Sequence, residues 1–120
     1  MANILTVDDS PSIRQMIKVV LAPTGHTVIE AGDGAQGLEK VKSTKLDLVI
    51  TDLNMPVMNG MDFIKAVRGL PNQVGLPIVF LTTESDDGVR QQAKSAGATA
   101  WITKPFKQEQ LLAVVKKVLG

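Results

Sequence analysis

The segment Ile4-Leu5-Thr6-Val7-Asp8-Asp9-Ser10-Pro11 joins a short apolar run to the start of a helix. Its first four residues are aliphatic or β-branched and indicate a buried strand. Ser10 is a favourable N-cap, and Pro11 suits the first helical position. Two further apolar runs, residues 48–51 and 78–81, also precede segments of helical period. This alternation predicts a parallel sheet with crossover helices.

Five strand–helix units follow one another along the chain, so we predict an α/β fold. It should be a doubly wound five-stranded parallel sheet flanked by five helices. The second strand is the most polar and belongs at an edge, which fits the flavodoxin-like order 2-1-3-4-5; we take that order from the fold type. No linker or repeat interrupts residues 1–120, which predicts a single domain without an output domain. The predicted strands are residues 4–7, 27–31, 46–51, 78–81 and 99–103.

Two of the helices carry specific expectations. The first should bury one face composed of Ile13, Met16, Ile17, Val20 and Leu21. The fourth, from about Asp86 to Ala96 and ended by Gly97, has a thin inner face of Val89, Ala93 and Ala96. A helix with so few apolar contacts should be held weakly and shift easily.

Composition excludes several classes of function. The 120 residues are 44% hydrophobic and 21% charged, as expected for one soluble globular domain. There are no cysteines, which excludes disulfides, thiolate catalysis and zinc–thiolate sites. A net charge of +1 with 3% aromatic residues disfavours nucleic acid as a partner. No signal peptide and no apolar run of about 18–20 residues is visible, so we expect a cytoplasmic protein without membrane contact.

Polar residues stand where the apolar runs end. Asp8 and Asp9 follow the first strand, Asp52 the third, Thr82 the fourth and Lys104 the fifth. Taken singly, each has a plain interpretation: acids often begin helices, the threonine suits a strand, and the lysine suits a surface. If the strands are parallel, however, all five side chains meet at one edge of the sheet.

Three carboxylates in one pocket repel one another, by about 4 kcal/mol for each pair about 4 Å apart at an effective dielectric of 20. A divalent cation relieves this repulsion, and all-oxygen ligands favour Mg²⁺, with Mn²⁺ as the alternative. The chemistry that fits is attack of a carboxylate oxygen on phosphorus, which gives an aspartyl phosphate. Asp52 is the predicted nucleophile, and Lys104 and Thr82 would hold the transferred oxygens. This set contains no histidine, so the leaving group must come from another molecule.

Four segments together resemble the response-regulator receiver family, over essentially the whole chain. They are Leu5-Thr6-Val7-Asp8-Asp9-Ser10, residues 49–60 with Asp52-Leu53-Asn54-Met55-Pro56 and Met58-Asn59-Gly60, Leu81-Thr82-Thr83, and Lys104-Pro105-Phe106. The run from Trp101 to Phe106 is similar to chemotaxis regulators of the CheY type. The resemblance implies that Asp52 is the phosphoacceptor and that the bond between Lys104 and Pro105 is cis.

The resemblance also implies roles for neighbouring residues. Asp9, Asp52 and the backbone carbonyl of Asn54 would ligate Mg²⁺, with Asp8 acting through water. Asn54 and Glu84 match positions that tune attack by hydrolytic water. Thr82 would move towards the phosphoryl group, and Trp101 occupies the position of the family's switch aromatic, usually Tyr or Phe. The departure to Trp leaves open a simpler role as a core aromatic of the last strand.

The predicted function is therefore a signalling switch rather than an enzyme, with only self-catalysed phosphotransfer and dephosphorylation. Its expected partners are a chemotaxis-type sensor histidine kinase, a flagellar motor switch protein and a phosphatase, and we expect a monomer. The alternative is a phosphate sink or phosphorelay intermediate. A phosphohydrolase is disfavoured because Asn54 replaces the second acid that such enzymes need. A flavodoxin-like nucleotide binder is disfavoured because residues 8–11 are acidic where a phosphate cradle is required.

Overall fold

Five parallel strands form one sheet in the order β2-β1-β3-β4-β5, as predicted. This computed structural model describes residues 2–55, 57–71, 73, 75–83 and 87–120. The strands are β1 (Asn3–Val7), β2 (Thr27–Ala31), β3 (Leu48–Thr51), β4 (Ile78–Thr82) and β5 (Ala100–Thr103). The helices are α1 (Pro11–Leu21), α2 (Gly34–Ser43), α3 (Gly60–Arg68), α4 (Asp87–Ala96) and α5 (Gln108–Leu119). No helix in the described part of the chain is long and apolar enough to cross a membrane.

Side chains alternate between the two faces of the sheet and build two core layers. Ile4 and Ile50 face the layer under α1 and α5, which also contains Ile17 and Leu111. Leu5, Val7 and Val49 belong to the opposite layer, under α2, α3 and α4, together with Phe63 and Phe80. β1, β3 and β4 are covered on both faces, which explains why they read as continuous apolar runs.

Side-chain caps begin three of the helices. Ser10 Oγ accepts from the Ile13 N–H at 3.3 Å, as the sequence predicts. Asp33 accepts from the Gln36 N–H at 2.8 Å, and Asn59 does the same for the Asp62 N–H at 2.8 Å. α1 ends at Leu21 and continues into a short 3-10 turn, Ala22–Thr24, which stops at Gly25 with a φ of 80°. These caps fix where each helix leaves the sheet edge.

Two strands are shorter than predicted. β3 begins at Leu48 rather than Leu46, because the Asp47 side chain instead bonds to the start of β1, where the Asn3 N–H donates to the Asp47 carboxylate at 2.8 Å. β5 begins at Ala100 rather than Thr99, whose hydroxyl accepts from the Ile78 N–H at 3.1 Å. In both cases a side chain takes over a backbone hydrogen bond at the strand entrance.

The inner face of α1 is broad and that of α4 is thin, as their sequences suggest. In α1, Ile17, Val20 and Leu21 are buried, but Met16 is 47% exposed because it lies at the margin of the apolar arc; its predicted burial was wrong. In α4 only Ala93 is buried, which confirms the thin inner face. α4 begins at Asp87, and residue 86 lies outside the described residues.

Candidate functional site

The three acids meet at the carboxyl edge of the sheet. Carboxylate oxygens of Asp8, Asp9 and Asp52 lie within 4.8 Å of one another. They meet because β1 and β3 are adjacent and in register, with Val7 opposite Thr51. The Asp52 N–H donates to the Val7 carbonyl at 2.9 Å and so extends the strand pairing to the first residue beyond β3. The described residues contain no other group of acids, histidines or cysteines placed to hold a metal.

Asp8 is 2% exposed, and both of its carboxylate oxygens already have partners. Oδ1 accepts from the Ser10 N–H at 2.9 Å, which ties the acid to the start of α1. Oδ2 forms an ion pair with Lys104 Nζ at 3.1 Å. The helix start and the lysine therefore hold Asp8 in one rotamer.

Asp52 is 9% exposed and shares Lys104 with Asp8. Its Oδ1 accepts from the Leu53 N–H at 2.8 Å, and its Oδ2 is 3.5 Å from Lys104 Nζ. Burial raises the pKa of Asp52, Lys104 lowers it and the Asp8 charge raises it again, and the net direction is upward. The surroundings of this carboxylate therefore oppose its negative charge, and a bound cation would offset that opposition.

Lys104 and Thr82 reach the site from the last two strands. The Lys104 N–H donates to the Thr82 carbonyl at 2.7 Å, and the Lys104–Pro105 peptide bond is cis, as the resemblance implies. Thr82 is fully buried at the end of β4. The structure therefore brings together the three acids and Lys104, which pairs with two of them, and it places Thr82 beside Lys104 through a backbone hydrogen bond.

The loop after Asp52 closes against the site. The Gly60 N–H donates to the Leu53 carbonyl at 2.7 Å, and a Cβ on Gly60 would lie 2.3 Å from the Asp52 carbonyl oxygen. Only glycine fits there without moving the backbone of Asp52. Asn54 is exposed on this loop. Glu84, the other residue expected to tune hydrolysis, lies outside the described residues.

The sequence comparison that decides the family matches the response regulator receiver domain over residues 4–116. This chain belongs to that family. The CheY4 chemotaxis protein of Vibrio cholerae has a similar structure, with a TM-score of 0.95, 45% identity and 99% coverage of both chains. The receiver domain of the sensor histidine kinase PA1611 from Pseudomonas aeruginosa superposes with a TM-score of 0.91 at 28% identity, over 99% of this chain and 98% of that one. That structure has a magnesium ion coordinated in the active site cleft.

One curated relative of this receiver domain is a longer protein. The DNA-binding response regulator MtrA of Mycolicibacterium smegmatis is 39% identical over 114 residues, which are 95% of this chain and 49% of MtrA. The chain therefore spans about half the length of this relative.

Trp101 lies on the receiver domain's last strand, away from the acids. Its ring meets Phe80 edge-on, with centroids 5.8 Å apart, and the Arg90 guanidinium lies 5.9 Å from its centroid. Its indole Nε1 is buried without a hydrogen-bond acceptor among the described residues. A cavity of about 420 Å³ opens beside it, lined by α4 residues that include Arg90 and Lys94.

Arg14 contacts the site, although sequence reasoning missed it. Its Nη1 donates to the Asp8 backbone carbonyl at 2.6 Å, and its Nε donates to Glu30 Oε1 at 3.1 Å. The only sequence signals are a basic residue one turn into α1 and an acid near the end of β2. Neither indicates this contact without the three-dimensional arrangement.

Proposed function

We propose that this receiver domain accepts a phosphoryl group on Asp52 from a phosphohistidine of a sensor histidine kinase. The observation that supports it is that a nearly buried Asp52 lies within 4.8 Å of two further acids and has Lys104 Nζ 3.5 Å from one of its oxygens. An Asp52 oxygen attacks phosphorus, the phosphorus–nitrogen bond breaks, and the imidazole leaves with the electron pair. The chain's single histidine, His26, cannot be the donor, because its Nδ1 accepts from the Ala2 N–H at the opposite edge of the sheet.

The acids fit Mg²⁺, because every donor is an oxygen and the carboxylates repel one another without a cation. Mn²⁺ is the alternative ion for the same ligands. Asp9, Asp52 and the Asn54 carbonyl would ligate the ion directly. Asp8 would act through water, as the resemblance to the family implies, while its own oxygens hold the Ser10 N–H and Lys104. When bound, the ion neutralises charge on the transferred oxygens.

The switch then works through the charges that hold the resting site together. A phosphoryl group on Asp52 competes with Asp8 for Lys104, whose Nζ is 3.1 Å from Asp8 in the resting state. Thr82 moves towards the phosphoryl oxygens, and Trp101 turns into the space this leaves. α4 follows because only Ala93 anchors it by a buried side chain. The remodelled surface consists of α4, β5 and α5, with Arg90, Lys94, Trp101, Lys107 and Lys117 exposed or partly exposed on it.

The output that we propose is chemotaxis, with a flagellar motor switch protein as target and a phosphatase that ends the signal. The similarity to CheY4 supports it. The domain would act in the cytoplasm as a monomeric switch rather than an enzyme, since its chemistry changes only itself. A phosphate sink or relay is the alternative, and it predicts no difference in target binding between the two states.

The first test is covalent labelling. With acetyl phosphate and Mg²⁺, intact mass spectrometry should show one phosphoryl group on the wild type and none on Asp52→Asn. Asp47→Asn, which changes an exposed acid outside the site, is the matched control and should label normally. Trp101 fluorescence should change only where labelling occurs. A label that persists undiminished in Asp52→Asn would remove Asp52 as the acceptor.

The second test addresses partners. A chemotaxis-type histidine kinase should transfer its phosphoryl group to the wild type, and a flagellar switch peptide should bind the phosphorylated form more tightly. Equal binding of the peptide in both states, with normal labelling, would exclude the motor output and favour the sink.

A further inference from the structure

Hydrogen bonds and an ion pair from four different residues hold the Asp8–Asp9 segment in place. The Asp8 N–H donates to the Ala31 carbonyl at 3.1 Å, and the Asp8 carboxylate holds Ser10 and Lys104. The Asp8 carbonyl, which belongs to the peptide group joining Asp8 to Asp9, accepts from Arg14 Nη1 at 2.6 Å. That last bond fixes the plane of this peptide group and therefore the direction in which Asp9 leaves it.

Asp9 depends on this peptide group more than the other acids do. It is exposed, and no described residue forms a hydrogen bond or ion pair with its carboxylate. Asp8 and Asp52 are buried and are each held by a backbone N–H and by Lys104. The orientation of Asp9 is consequently set by its backbone, which Arg14 holds.

Glu30 keeps Arg14 in place. Its Oε1 accepts from Arg14 Nε at 3.1 Å, and the Arg14 side chain is only 19% exposed. The planar guanidinium thus binds a carboxylate through one nitrogen and the Asp8 carbonyl through another, an arrangement that an ammonium group cannot reproduce. Glu30 also neutralises the Arg14 charge, so that it does not pair with the acids in place of a cation.

We propose that Arg14, held by Glu30, is a positioning residue for the divalent cation: it orients the Asp8–Asp9 peptide group and so aims the Asp9 carboxylate at the ion. This inference rests on the metal site of the proposed function. Groups that orient a metal ligand without touching the metal commonly change affinity 10- to 100-fold when removed.

A positioning role and a purely electrostatic role for Arg14 predict opposite changes in cation affinity when the residue is removed. Removing a positive charge near three acids strengthens cation binding by Coulomb's law. Removing the residue that aims Asp9 weakens it. Lys18 provides the matched control, because its Nζ lies 3.7 Å from the other Glu30 oxygen, it carries the same charge on the same helix, and it makes no hydrogen bond or ion pair with Asp8.

The experiment is a Mn²⁺ titration followed by the electron paramagnetic resonance signal of the free ion, without any phosphodonor. Arg14→Met and Arg14→Lys should each weaken Mn²⁺ binding about 10-fold. Lys18→Met should bind as tightly as the wild type or slightly more tightly. In Arg14→Lys, the backbone amide resonance of Asp9 should shift, whereas the amide resonances of α5 should stay in place.

Arg14→Met binding as tight as the wild type would overturn the proposal. If Arg14→Met fails to fold, Arg14→Lys decides, since it keeps the charge and most of the side chain; unchanged affinity there would also overturn it. Asp9→Asn separates this outcome from failure of the metal site itself. If Asp9→Asn binds Mn²⁺ like the wild type, the proposed metal ligands are wrong and this inference falls with them.

Discussion

At the scale of single residues, Asp52 has surroundings that oppose its charge. Burial and the Asp8 carboxylate together outweigh Lys104, so the pKa of Asp52 is higher in the folded protein than its ordinary value of 3.8. The folded state therefore binds more protons than the unfolded state between the two pKa values. Stability from this group is greatest at low pH and is lost as the pH rises through the folded pKa.

Asp52→Asn should therefore stabilise the metal-free protein at neutral pH, by about 1–2 kcal/mol. Asparagine can still accept from the Leu53 N–H, and Lys104 keeps Asp8 as its partner. The gain should shrink as the pH falls through the folded pKa and should be gone below the ordinary pKa of 3.8, where Asp52 is protonated in both states. Urea unfolding in chelator across this pH range measures it. Asp62→Asn, at an exposed position in the first turn of α3, should instead be slightly destabilising. A less stable Asp52→Asn at neutral pH would contradict the raised pKa.

The sequence predicts the residues of the site better than it predicts what holds them. Asp8, Asp9, Asp52 and Lys104 could be predicted because each directly follows a strand and parallel strands end at one edge. Arg14 could not be, because its role depends on how α1 lies across the end of β2. Chain position carries the first kind of information, and tertiary packing carries the second.

At the scale of elements, boundaries set by local sequence signals could be predicted, whereas boundaries set by tertiary contacts could not. β2 and the start of α1 have the predicted bounds because their signals are local: polar flanks, Ser10 and Pro11. β3 and β5 begin later than predicted because Asp47 and Thr99 form hydrogen bonds to distant strands. The burial of Met16 was wrong because periodicity gives a helix face but not its margins.

α4 illustrates an element held by few contacts. Just beyond its carboxyl end, Arg68 Nη2 donates to the Gly97 carbonyl at 2.7 Å. Arg68 Nη1 also donates to the Gln73 carbonyl at 2.9 Å, so one side chain joins the end of α3, the following loop and the end of α4. Burial lowers the pKa of this guanidinium, which remains charged.

Arg68→Met should destabilise the protein by about 2–4 kcal/mol, because two charge-assisted hydrogen bonds are lost and their carbonyl acceptors stay partly buried. Amide hydrogen exchange should accelerate more in α4 than in α1 or α5. Arg90→Met, on the exposed face of α4, should change stability by less than about 1 kcal/mol. Equal acceleration in all helices would show that Arg68 stabilises the whole domain without anchoring α4 in particular.

At the scale of the whole molecule, the site exists only when the sheet is complete. The pair between Asp8 and Lys104 joins residues 96 positions apart, across strands β1 and β5. A cation bound by Asp9 and Asp52 would likewise connect the ends of β1 and β3. Binding at this edge should therefore stabilise the domain as one cooperative unit rather than a local segment.

Mg²⁺ should accordingly raise the melting temperature of the entire domain. At a concentration about 100 times its Kd, the ion adds about 2.7 kcal/mol, or roughly 10 °C for a domain of this size. Circular dichroism and Trp101 fluorescence should give the same transition, because Trp101 lies on β5 while the ligands follow β1 and β3. Asp9→Asn should abolish the increase, whereas Asp47→Asn should retain it because Asp47 lies outside the site. Two separate transitions would contradict the single cooperative unit, and an unchanged increase in Asp9→Asn would show that the ion stabilises the fold elsewhere.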